Sequence, residues 1–96
     1  MNDLATAIKN ELEANGNKIS FDFIKALADS ALVTHVRITD KTRVCALTLS
    51  TGHEVVGYAR VLFAENDVQE KGEKVAFENA RDELWSMCGS IALAVK

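Results

Sequence analysis

The side chains with the widest chemical range in this 96-residue chain are Cys45, Cys88, His35 and His53. A thiol attacks as its thiolate, so a catalytic cysteine needs a base within hydrogen-bond reach. Cys45 lies in VCALTL, mid-strand by its pattern, and Cys88 lies on the apolar stripe of a C-terminal helix. Thiols placed so behave as small, inert hydrophobes. Neither histidine shares a ligand spacing with a Cys, Asp or Glu cluster, so no metal site is predicted. The chain holds no G-x-x-x-x-G-K-[ST] and no G-x-G-x-x-G, so no phosphate-cradling loop is signalled. EKGEK and the pair Asp82-Glu83 read as solvated faces. The expectation is no catalytic residue, no metal and no cofactor, in a protein that is not an enzyme.

Binding is the remaining chemistry, and GEKVAFENARDELW, residues 72–85, raises it most directly. Its apolar stripe contains Arg81, between Phe77 or Leu84 and Trp85 on the helical wheel. Two readings stand. Arg81 can run its methylenes over apolar surface and stack on Trp85 as a cation–π pair, worth about 0.5–1 kcal/mol if exposed. Alternatively Arg81, Trp85 and Glu78 form an exposed recognition patch, since Trp and Arg anchor many interfaces.

The elements that position these residues can be read from period. Leu4, Ile8 and Leu12 share one face of a first helix, with Asn2 or Asp3 as cap and Asn15-Gly16 as stop. Its narrow stripe predicts a surface helix. Ser20 caps a second helix, Ile19 and Ile24 form a hydrophobic staple around that cap, and Ile24, Leu27, Ala28 and Ala31 face inward. VTHVRI, RVCALTLS and HEVVGYARVL then read as strands. Thr39-Asp40-Lys41-Thr42 turns the first into the second. A two-residue Thr51-Gly52 turn would set Leu47 opposite Val56, Cys45 opposite Tyr58 and Ala46 opposite Gly57. One face then carries Val36, Cys45, Leu47, Leu49, Val56 and Tyr58. The other carries the smaller Val44, Ala46, Thr48, Val55, Gly57, Ala59 and Val61, flanked by His35 and Arg37. This small-residue face expects either the chain's own N-terminal helices or a second protomer. From Asn66, which with Gln69 resembles a capping pair, the period is helical again, and Gly72 predicts a kink or a break. Phe77, Ala80, Leu84, Cys88, Ile91 and Val95 form its buried stripe. The fold expected is α+β: two N-terminal helices, a three-stranded antiparallel β-meander, and a long C-terminal helix packed on the bulky sheet face. All of it forms a single domain, 1–96, with a helical part at 1–31, the meander at 32–63 and a C-terminal helical part at 66–95.

Composition bounds the class. Hydrophobic residues make up 48% and charged residues 26%, so the chain is not disordered by composition. The formal net charge of -3 and pI near 5.3 lack the basic footprint that phosphate binding needs. Arg37, Lys41, Arg43 and Arg60 leave a local basic spot as the one argument for nucleic acid. No apolar run is long enough to span a membrane, and the first residues lack a secretory h-region. Two reduced thiols and a cytoplasmic location follow.

Two segments resemble a known family together. RVCALTLSTGHEVVGYA fits C-x-L-T-L-x-x-G-x-x-V-x-G, and GEKVAFENARDELW fits G-x-K-[IV]-A-x-E-N-A-x-x-x-[LI]-W. The pair is similar to small bacteriophage proteins named for phage N-four and phage Sf-six gene products, over residues 43–91. The motif positions are Cys45, Leu47, Thr48, Leu49, Gly52, Val55, Gly57, Gly72, Lys74, Ala76, Glu78, Asn79, Ala80 and Trp85. Ser86 stands where the family tends to have proline. The resemblance implies a phage or prophage origin and a bacterial host cytoplasm, and no mechanism. Glu78 and Asn79 point away from the stripe, so they are candidates for function or for a hydrogen bond between elements. The leading expectation is an accessory protein that binds a host protein through Glu78, Asn79, Arg81 and Trp85. A defence factor, such as a CRISPR effector, fits that role. The alternative is a homo-oligomer that sequesters a small molecule such as a nucleotide, using His35, Arg37, Val44, Ala46, Gly57 and Ala59.

Overall fold

The computed structural model describes residues 4–95. In chain order these form α1 (Leu4–Ala14), α2 (Phe21–Ser30), β1 (Leu32–Thr39), β2 (Thr42–Thr48), β3 (Glu54–Arg60), a single 3-10 turn (Ala64–Asn66) and α3 (Gln69–Val95). The architecture is α+β, with two N-terminal helices, an antiparallel sheet in the order β1-β2-β3, and a long C-terminal helix packed on the sheet. The predicted caps of α1, Asn2 and Asp3, lie outside the described residues.

Local chemistry sets the helix ends. Gly16 and Asn17 both take φ of 64°, the left-handed conformation that stops α1. Ser20 Oγ accepts from the Phe23 amide at 3.1 Å and starts α2. The Ser20 amide donates in turn to Glu11 Oε2 at 3.0 Å, so a glutamate from α1 completes a cap that local sequence completes elsewhere. Leu4, Ile8 and Leu12 are buried, and α1 packs on α3. A three-residue stripe therefore forms part of the core, where a surface helix was expected.

α3 lies across β2 and β3, and α1 and α2 pack on α3, their apolar residues joining the same core as Cys45 and Leu47. Its buried line is Ala76, Ala80, Leu84 and Cys88, with Phe77, Ile91 and Val95 half-buried against the same core. The helix runs unbroken through Gly72 and starts at Gln69 instead of after Asn66. Gly72 sits where a Cβ would stand 2.7 Å from Arg43 Cδ, so here glycine makes room for a side chain and causes no break.

The strand registers differ from expectation at both hairpins. The observed pairs are Leu47 with Val55, Cys45 with Gly57 and Ala46 with Val56. The β2–β3 loop has three residues: the Leu49 amide bonds the His53 carbonyl at 2.8 Å, the Gly52 amide bonds the Leu49 carbonyl at 2.9 Å, and Gly52 takes φ 92°. This is a turn followed by a left-handed glycine, the usual three-residue hairpin. At the β1–β2 hairpin Thr39 opposes Thr42, as the turn residues predict, but Arg37 opposes Arg43, so Ile38 is an extra residue in a bulge. Each extra residue turns a whole strand over, because side chains alternate with a period of two.

Candidate functional site

Neither thiol is poised for chemistry. Cys45 and Cys88 are free and fully buried, and burial pushes both pKa values up, that of Cys88 to about 11. Both are protonated at neutral pH. His53 Nδ1 lies 2.7 Å from Thr51 Oγ1 in the hairpin loop, and His35 is exposed on β1. Among the described residues no three His, Cys, Asp or Glu side chains gather as a metal-holding group.

The four residues expected to form one patch on α3 do different work. Arg81 stacks on Phe21 of α2, its Cζ 5.4 Å from the ring centroid, and not on Trp85. Its Nε is buried and has no hydrogen-bond partner. Trp85 is half-buried against the core. Arg81 therefore joins α3 to α2. Asn79 faces the sheet, where its Nδ2 donates to the Tyr58 carbonyl on β3 at 2.6 Å. At about 100° per residue, Asn79 lies about 120° around the helix from Trp85, whereas Glu78 lies within about 20° of it. Glu78 is half-buried.

The six residues of the expected small-residue face are split between two sides of the sheet. Opposed residues share a face in an antiparallel pair. His35, Arg37, Gly57 and Ala59 therefore lie on the side of Cys45 and Leu47, toward α3, while Val44 and Ala46 lie on the other. Gly57 is the point of closest approach. A Cβ there would collide with the Ala80 nitrogen and the Ala76 carbonyl oxygen, and would stand 2.7 Å from Ala80 Cα. Its lack of a side chain serves the chain's own helix and leaves no room there for a ligand or a second protomer.

The basic spot is also dismantled. Arg43 opposes Ala59, and Arg60 opposes Thr42 on the other side, with its Cζ 5.5 Å from the Tyr58 ring centroid. Arg43 makes a two-pronged bond to Asp67, Nε to Oδ1 at 2.9 Å and an Nη to Oδ2 at 2.6 Å, with the side chains only 11% and 8% exposed. Arg37 reaches the same carboxylate at 3.4 Å. The Arg43 hydrogen bond holds the Asp67 carboxyl below its ordinary pKa. This joint ties β2 to the start of α3. Sequence reasoning missed it, because a pair 24 residues apart leaves no local signal.

What the chain leaves uncovered is more informative. α1 and α2 pack on α3, and α3 packs on the side of Gly57, so among the described residues no helix covers the outer side of the sheet. That side carries Leu32, Thr34 and Val36 of β1, Val44 and Ala46 of β2, and Val56 and Tyr58 of β3. All eight residues of β1 are exposed, among them Leu32 at 68%, Val36 at 52% and Ile38 at 58%. A strand apolar on one side and wet on both is unusual for a finished surface. A two-residue turn at Thr51-Gly52 hides this in the sequence, since it puts Val56 and Tyr58 in the core.

A model of the Phage protein (N4 Gp49/phage Sf6 gene 66) family matches residues 7–93. The match spans α2, all three strands and nearly all of α3. No curated protein and no solved structure matches the chain. Among the described residues no helix is long and apolar enough to cross a membrane.

Proposed function

We propose that this chain, which belongs to the Phage protein (N4 Gp49/phage Sf6 gene 66) family, is a phage accessory protein that acts in the host cytoplasm by non-catalytic binding to a host protein. The observation that carries this reading is the uncovered outer side of the sheet. Val36, Val44, Ala46, Val56 and Tyr58 give it an apolar centre, and Thr34, Thr48, Glu54 and Arg60 surround that centre with polar groups. An apolar centre inside a polar rim is the usual anatomy of a protein-binding surface. Tyr58, 48% exposed with Arg60 over its ring, pairs the residue types that anchor interfaces. The buried, protonated thiols support binding over nucleophilic catalysis.

The host target that fits a small, acidic phage protein of this kind is a defence factor whose own surface is blocked. The double variant Tyr58→Glu, Arg60→Glu changes only exposed side chains, both on β3 and away from the β1 edge. Wild-type protein is expected to retain one host protein on affinity capture from infected cells and to raise plating of a restricted phage. The double variant should lose both effects with an unchanged melting temperature. Equal capture and equal plating by the two proteins would refute the outer face as the binding surface.

A further inference from the structure

We propose that β1 is the contact strand of a homodimer, in which two copies of this chain pair β1 against β1 to form one six-stranded sheet. The backbone fixes which groups are available. The Leu49 amide bonds the His53 carbonyl, and the Val61 amide bonds the Lys41 carbonyl at 2.9 Å. Residues 49 and 53, and 41 and 61, are therefore closely bonded pairs, and such pairs recur at every second position. On β2 the odd-numbered residues bond β3 and the even-numbered residues bond β1. The partners of the latter are Leu32, Thr34 and Val36. The amides and carbonyls of Val33, His35 and Arg37 consequently point away from the sheet.

The opposite edge is treated differently. By the same alternation the Tyr58 carbonyl points outward from β3, and Asn79 occupies it. Natural sheets blunt the edges they do not use. Here Asn79 of α3 occupies one outward carbonyl of β3, whereas β1 carries no proline and no lysine, and among the described residues no helix packs extensively on it. One open edge per copy gives a closed twofold pair; two would give a fibre.

A second copy fits this edge in backbone geometry. Centring the pair on His35 sets His35 opposite His35 of the other copy and Val33 opposite its Arg37, so that three bonded pairs supply about six hydrogen bonds. On the outer side Thr34 then opposes Val36, and Leu32 reaches the apolar end of the other strand. The chain exposes 6180 Å². A compact monomer of 10.5 kDa exposes about 5,400 Å². The excess of about 750 Å² is spread over the chain, and β1, exposed along all eight residues, contributes to it. The twofold axis stands perpendicular to the sheet, so both α3 helices lie on one side and the two outer faces merge. The inference does not depend on the host-protein reading, because it concerns the purified chain alone.

The test is sedimentation analysis of the purified protein across a wide concentration range, with a cross-linking variant. Wild type is expected at twice the 10.5 kDa chain mass. His35→Pro removes an amide that serves no bond within the chain, so it should give a monomer with unchanged helix content. His35→Cys should form an interchain disulfide under mild oxidation, since bonded antiparallel pairs bring Cα atoms to about 5.5 Å, within disulfide range. Thr34→Cys should not, because its own copy lies one diagonal away at about 7–8 Å. Cys45 and Cys88 are buried and do not compete. A wild type that stays monomeric overturns the proposal. So does a dimer that survives His35→Pro, or one that cross-links at Thr34→Cys and not at His35→Cys.

Discussion

Replacing Gly57 by alanine is the most exacting trial of the packing described above. The added methyl would overlap the Ala80 nitrogen and the Ala76 carbonyl oxygen, and would stand 2.7 Å from Ala80 Cα. Carbon atoms in contact prefer about 3.5–4.0 Å, so α3 must lift by about 1 Å. Both obstacles are backbone, so no side chain can turn aside. Lifting the helix loosens Ala76 and Ala80 against Cys45, Leu47 and Val55, all buried. A gap of that size forfeits a quarter to a half of each contact. Overpacking of this kind costs about 3 kcal/mol, the upper end of the usual range. For a domain of this length that lowers Tm by about 12–24 °C. The assay is thermal unfolding followed by far-UV circular dichroism. Gly89→Ala is the control: it lies within α3, nothing approaches its Cβ position, and the change should stabilise by about 0.5–1 kcal/mol. If Gly57→Ala lowers Tm by less than about 4 °C, the close approach of helix and sheet is not what positions α3.

Three further outcomes are expected. Ser20→Ala removes the hydroxyl that caps α2 and should cost about 1 kcal/mol, read from urea unfolding, while the backbone amide of residue 20 keeps its bond to Glu11. Asp67→Asn should destabilise at neutral pH and cease to differ from wild type in strong acid. The folded-state pKa of Asp67 lies below its unfolded value, so its contribution is complete above about pH 4 and fades as pH falls through the folded value; a stability gap independent of pH would refute the ion pair as its cause. Asn79→Ala uncovers the Tyr58 carbonyl and opens the second sheet edge, so light scattering should detect species larger than a dimer.

Much of the fold is legible in the sequence, and the failures have one geometric origin. Ser20 with Ile19 and Ile24 announces α2, Gly16 ends α1, and the stripe from Phe77 to Val95 traces α3, because each signal lies within a few neighbouring residues. Element types and order follow. The faces of β1 and β3 do not, because one residue decides each. Ile38 adds a bulge before the Asp40-Lys41 turn, and Ser50 belongs to the loop beside Thr51 and Gly52. The composition of each strand is almost indifferent to that shift: Val55 and Val56 have the same chemistry and face opposite ways. At the candidate site, Gly57 and Ala80 were readable as close-packing residues, and Asn79 as a hydrogen-bonding candidate. The Arg43–Asp67 joint and the Arg81–Phe21 stack depend on how distant elements meet, and no local pattern encodes that. The outer face was invisible for the reason its strands were misassigned.

The placement of α1 has a consequence for synthesis. The strands of the meander are neighbours along the chain and can pair once their own residues are made, although the inner side of the sheet is covered only by α3. α1 cannot shelter in the same way, because Leu4, Ile8 and Leu12 find their cover on α3. At about 5–20 residues per second, α3 follows α1 from the ribosome after about 3–11 s. For that interval the apolar face of the first helix lacks the cover of α3 and is open to aggregation. α3, made after the sheet, is the helix that locks α1 in place.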